Sequence, residues 1–132
     1  MDTKRILLIE DEAEDILLFR TQFELVGYQV IDARTPEEGL KKAADQHPDI
    51  IILDLVLGDR MQLKGGEEFG GIKLLTQISA DPALKNIPVV VLTNLDKEAY
   101  AAKVKSAGAK EFLSKAELLP EEIVAHIKNL IG

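Results

Sequence analysis

Three apolar runs constrain this chain more than any other feature. Ile6–Ile9, Ile50–Leu53 and Val89–Leu92 each hold four apolar residues in succession. A strand with one wet face alternates apolar and polar residues. A strand apolar at every position must be covered on both faces, as in a parallel sheet with helices above and below. Longer segments with helical spacing lie between the runs. Residues 12–26 place Ile16, Phe19, Phe23 and Val26 at helical intervals, and Gly27 fits a stop. Thr35-Pro36-Glu37-Glu38 supplies a cap, a first-turn proline and a capping-box glutamate. That helix is expected to run to about Gln46, because His47 precedes a proline and so avoids the helical region. Further helices are expected over 70–79, Asp96–Ala107 and Leu118–Leu130. Tyr28–Ala33 and Lys110–Leu113 read as strands, and the third strand as Ile50–Asp54. Strand and helix thus alternate five times, an α/β chain of (βα)5 form built on a five-stranded parallel sheet.

The 132 residues fit one domain, read as 1–132, with an extended loop at about 57–70. A net charge of −7, from 23 acids against 16 bases, argues against sequence-independent nucleic-acid binding. The absence of cysteine excludes disulfides, thiol catalysis and zinc–thiolate sites. No apolar run approaches the roughly 20 residues that span a bilayer, so no membrane partner is expected. The N-terminal MDTKRILLIEDE lacks a signal-peptide pattern, and a cytoplasmic location is the default.

In an open parallel sheet, sites form at the carboxyl ends of the strands. Here those ends carry Glu10-Asp11, Asp54, Thr93-Asn94 and Ser114-Lys115. Clustered carboxylates repel one another, and a divalent cation relieves the repulsion. Hard oxygen donors with no cysteine favour Mg2+ over zinc, and Mg2+ commonly bridges carboxylates to a phosphate oxygen. Thr93 and Lys115 are placed to hold other oxygens of an incoming anion, which points to phosphoryl chemistry.

The motifs ILLIEDE, IILDL, IPVVVLTN and AGAKEFLSK, in this order with βα units between them, resemble the receiver domain of two-component response regulators. The likeness covers essentially the whole chain, and 22 positions separate Thr93 from Lys115, as in a typical receiver. The resemblance implies a doubly wound, flavodoxin-like fold with strand order 2-1-3-4-5. It implies that Asp54 accepts a phosphoryl group from a phosphohistidine, the partner being a sensor histidine kinase or a phosphotransfer protein. Asp11, Asp54 and the Val56 carbonyl would ligate Mg2+ (or Mn2+), with Glu10 acting through a bound water. Thr93 and Lys115 would bind phosphoryl oxygens, and Thr93 with Phe112 would form the switch. The domain would be a phosphoacceptor rather than an enzyme on other substrates. Its output would pass through protein contacts of a monomer or weak homodimer, with Lys97, Tyr100, Lys103 and Glu111 on the partner face. No output domain is read in the chain.

Four positions depart from the family pattern. Gly58 stands where a receiver usually has proline, and the loop after Asp54 is longer by roughly eight or nine residues. A tolerated surface insertion is the plain reading of that length, a lid or docking element the functional one. Asn94 follows Thr93 in place of a small residue. Ala116 replaces the proline usually found after the lysine, so the isomer of that bond and the reach of Lys115 become questions. Phe112 lacks the hydroxyl of the frequent tyrosine.

Plainer readings stand beside these. Glu10 and Asp11 fit a helix N-terminus as well as a metal. Glu12, Glu14 and Asp15 read as a solvated helix face, and His47 and His126 as structural or surface residues without a ligand partner. Met61, Leu63 and Phe69 read as anchors of the long loop. Two competing functions remain: a receiver-like interaction module that is not phosphorylated, and an enzyme, either a flavin protein or an aspartyl-phosphate phosphatase. The phosphatase is disfavoured because haloacid-dehalogenase-type phosphatases usually carry an Asp-x-Asp motif on their first strand, whereas Asp54 lies on the third and Val56 stands two residues later.

Overall fold

The computed structural model describes residues 3–58 and 69–132. Its elements are β1 Arg5–Ile9, α1 Ala13–Leu25, β2 Gln29–Ala33, α2 Pro36–Gln46, β3 Ile50–Leu53, α3 Gly70–Ala80, β4 Val89–Thr93, α4 Lys97–Ser106, β5 Glu111–Ser114 and α5 Pro120–Ile131. All pairings are parallel and the sheet order is β2-β1-β3-β4-β5, as the resemblance implied.

The apolar runs are buried for the reason their composition demands. Leu7, Ile9, Ile51, Leu53, Val89 and Val91 face one core, with Ala43 of α2, Ile72, Leu75 and Ile78 of α3 and Val104 of α4. Their alternates Ile6, Leu8, Ile50, Ile52, Val90 and Leu92 face a second core, with Phe19 and Phe23 of α1 and Ile123 and Ile127 of α5. Alternate side chains of a strand point to opposite faces, so each run must be apolar throughout.

The expected boundaries shift by a residue or two. β3 ends at Leu53, so Asp54 lies just beyond the strand rather than within it. β2 begins at Gln29, β4 extends to Thr93, and β5 runs Glu111–Ser114. α5 starts at Pro120, not Leu118, because proline suits the first helical position. At α2, Thr35 Oγ1 accepts from Glu38 N as expected (3.1 Å). Glu38 Oε1, however, reaches past the cap to accept from Arg34 N at 2.9 Å. His47 ends α2 in the left-handed region, at φ 48°. Of the long loop, residues 59–68, including Met61 and Leu63, lie outside the described residues. Phe69 anchors the far end, with its ring edge-on to Tyr100 of α4 at a centroid distance of 5.8 Å.

Tyr28 is buried against Phe23, and its hydroxyl has no hydrogen-bond partner among the described residues. An unpaired buried hydroxyl costs free energy on folding. Tyr28→Phe is therefore expected to stabilise the protein by about 1 kcal/mol. Thermal denaturation should show a rise of about 3–5 °C.

Candidate phosphoacceptor site

Strand register assembles the site. β1 and β3 pair Ile9 with Leu53, so the residues that follow, Glu10 and Asp54, emerge side by side. Glu10 N donates to Ala33 O and Asp54 N to Ile9 O, which continue the ladders one step past the strands (2.9 and 3.0 Å). β4 and β5 pair Thr93 with Ser114, and Lys115 N donates to Thr93 O at 2.9 Å. No cis peptide bond occurs among the described residues, so the Lys115–Ala116 bond is trans.

The lysine still reaches the acids. Its Nζ donates to Glu10 Oε1, to Asp15 Oδ2 at 2.8 Å and to Asp54 Oδ2 at 3.0 Å. Glu10 and Asp54 are only 1% and 5% exposed. The second oxygens are also engaged: Glu10 Oε2 accepts from Glu12 N at 3.0 Å, and Asp54 Oδ1 from Val56 N at 3.1 Å. Asp11 Oδ2 accepts from Gly58 N at 2.6 Å. Gly58 lies at φ 73°, which proline cannot adopt, and proline has no N–H to give. The departure at this position thus has a structural use, because it ties the start of the long loop to Asp11.

The electrostatics follow. Burial pushes the Glu10 carboxyl up to about 7, and the neighbouring Asp54 charge adds to the rise. Burial disfavours the Lys115 ammonium, but the charges of Asp54 and Glu10 outweigh it and hold the group above its ordinary value. Three carboxylates, Glu10, Asp15 and Asp54, share one ammonium, which leaves the group short of positive charge. Among the described residues no three acids already stand close enough to clasp a metal. The donor set nonetheless suits a hard divalent cation, being carboxylate and carbonyl oxygen with excess negative charge.

A cavity of about 120 Å3 opens beside Asp54 and is lined by Val56, Thr93, Asn94 and Leu95. Thr93 is fully buried, and its Oγ1 accepts from Leu95 N at 3.3 Å. Asn94 is exposed at the rim. Phe112 is turned inward, 6% exposed, in the core beneath α4. The site's floor depends on Gly71, whose N–H donates to Leu55 O at 2.9 Å.

One expectation needs correction. Asp15 is not part of a solvated face, because it bonds Lys115 inside the site. The available signal was its place in the first turn of the helix that leaves the end of β1. His126 is a surface residue, as expected, and its Nδ1 lies 2.8 Å from Glu111 Oε1, across the α5–β5 surface. Glu12 and Glu14 are exposed, as expected. Among the described residues no helix is long and apolar enough to cross a membrane.

The chain matches the response regulator receiver domain family over residues 6–128. It is similar to the polar-differentiation response regulator DivK of Brucella ovis, with 28% identity over 130 residues and 98% of each chain covered. A crystallised Chloroflexus aurantiacus protein assigned to the response regulators superposes with a TM-score of 0.82, at 27% identity over 98% of each chain. The phosphorylated cyanobacterial phytochrome response regulator RcpA superposes with a TM-score of 0.77, at 27% identity over 98% of this chain and 94% of that one. With fold and family in agreement, the chain belongs to the response regulator receiver domains, the phosphoacceptor modules of two-component signalling.

Proposed function

We propose that Asp54 is the phosphoacceptor of this receiver. The observation that supports it best is a nearly sealed carboxylate, 5% exposed, held by the Lys115 ammonium at 3.0 Å and bordering a small cavity. A carboxylate oxygen of Asp54 attacks the phosphorus of a donor phosphohistidine. The P–N bond breaks, its electron pair stays with the imidazole nitrogen, and an acyl phosphate forms on Asp54. Such transfer needs positioning and charge neutralisation more than covalent help from the protein. Lys115 supplies one positive charge, and Thr93, whose side chain lines the cavity beside Asp54, serves a phosphoryl oxygen once its hydroxyl leaves Leu95 N. Asp11, Asp54 and the Val56 carbonyl would hold Mg2+ or Mn2+, and Glu10 would act on it through water. The cation would neutralise charge on the transferring group.

The donor is a sensor histidine kinase or a phosphotransfer protein, and the domain works as a cytoplasmic regulator rather than on other substrates. Thr93 and Phe112 form the switch that carries the change to the α4–β5–α5 surface. There a groove of about 320 Å3 is bordered by Lys97, Lys105, Glu111, Phe112 and His126. Tyr100 and Lys103 belong to the same helix α4. An output protein binds this surface of a monomer or weak homodimer, with neither nucleic acid nor membrane involved.

The test is intact-protein mass after incubation with acetyl phosphate or a phosphorylated kinase, with and without Mg2+. One added phosphoryl group is expected, dependent on the cation and lost in Asp54→Asn. No gain with either donor would leave the non-phosphorylated interaction module as the better reading.

A further inference from the structure

Lys115 carries three N–H donors and no acceptor. All three meet carboxylates, those of Glu10, Asp15 and Asp54. Given the reading of Asp54 as phosphoacceptor, an arriving phosphoryl group needs that ammonium for its own oxygens. Lys115 must then turn away from part of this set.

Asp15 is unlike the other two acids. It comes from the first turn of α1 rather than from a strand end, and its side chain is 30% exposed. Two cavities flank the site and share Asn94 at their border. One borders Asp54 with Val56, Thr93, Asn94 and Leu95. The other lies between α1 and α5, and both Asp15 and Lys115 line it. The Asp15 bond therefore draws the ammonium toward the helices and away from the cavity where a phosphoryl group would sit. Asp15 also adds negative charge to a cluster already short of cations, and every phosphoryl donor is an anion. Competition for Lys115 and repulsion of the donor act in the same direction.

We infer that Asp15 is a positioning residue that restrains Lys115 and slows phosphoryl uptake on Asp54. Single-turnover uptake from acetyl phosphate at saturating Mg2+ tests this. Asp15→Asn and Asp15→Ala are expected to react about two- to fivefold faster than wild type. Asp15→Glu, which keeps the charge, stays near the wild-type rate, and Asp54→Asn shows no uptake. A second readout needs no cation: NMR of the Lys115 Nζ protons in the metal-free protein. Their exchange with water is slow in wild type and at least about twofold faster in Asp15→Asn, the loss of one charged hydrogen bond. Melting temperatures confirm that each variant is folded. Uptake in wild type with no acceleration in Asp15→Asn overturns the restraint alone, as does acceleration in Asp15→Glu or unchanged Nζ exchange. No uptake in wild type overturns the phosphoacceptor reading and the restraint with it.

Discussion

Asp54→Asn is expected to lose phosphoryl uptake and, without divalent cations, to gain stability. The loss needs only the missing nucleophile, since an amide oxygen forms no acyl phosphate. The gain comes from Glu10. Its carboxyl is pushed from 4.5 up to about 7 by burial, with the Asp54 charge as the second cause. A carboxyl that holds its proton more tightly in the folded state contributes fully to stability below its ordinary value. That contribution is lost as the pH rises through the folded value, here across the window from 4.5 to about 7. Removing the Asp54 charge lowers the Glu10 value, so the variant loses less across the same window. Its advantage over wild type should grow with pH and reach about 1 kcal/mol near neutrality. Lys115 opposes the gain only in part, because Glu10 and Asp15 still hold it. Thermal melts in EDTA from pH 4.5 to 7 check the slope. Added Mg2+ should stabilise wild type more than the variant, by preferential binding to the native site. A variant that melts at or below wild type at pH 7 in EDTA would show that Lys115 loses more than the acid cluster gains.

Gly71→Ala carries the other large effect, and its sign is the opposite of the usual one. In an exposed helix interior, replacing glycine by alanine gains about 1 kcal/mol. Here a Cβ on Gly71 would lie 2.4 Å from the Asp54 carbonyl oxygen and 2.4 Å from Leu55 Cα. Both are backbone atoms that cannot rotate aside. Either α3 withdraws and stretches the Gly71 N–Leu55 O bond of 2.9 Å, or the end of β3 moves and carries Asp54 with it. Overpacking of this kind should cost about 3 kcal/mol. Denaturant unfolding measures the cost, and phosphoryl uptake reports the displacement of Asp54. A cost below about 1 kcal/mol would mean that α3 slides along the sheet without resistance.

These two residues show what could be read from the chain and what could not. Asp54 was legible because a charge following four buried apolar residues needs a partner, and a parallel sheet brings strand ends together. Gly71 was not. Five glycines follow Asp54 within residues 50–71, and sequence does not say which one touches backbone. Gly58 and Gly71 have separate tasks, an amide for Asp11 and a close approach to Leu55, and only coordinates distinguish them. Lys115 was legible by its place after β5, but the loss of the family proline left its reach open. The ladder bond from Lys115 N to Thr93 O keeps it in line with a trans peptide.

Asp15 marks the boundary most clearly. Sequence by itself determined the alternation of strands and helices, the burial of the apolar runs and the gathering of acids at one edge. Those follow from local periodicity and from the need to cover both faces of the sheet. Which acids share the ammonium was decided by tertiary structure. Lys115 is separated from Glu10, Asp15 and Asp54 by 105, 100 and 61 positions. Contacts across such distances are set by strand register and by the docking of α1 beside α5, to within the length of a hydrogen bond. Local pattern does not carry that precision.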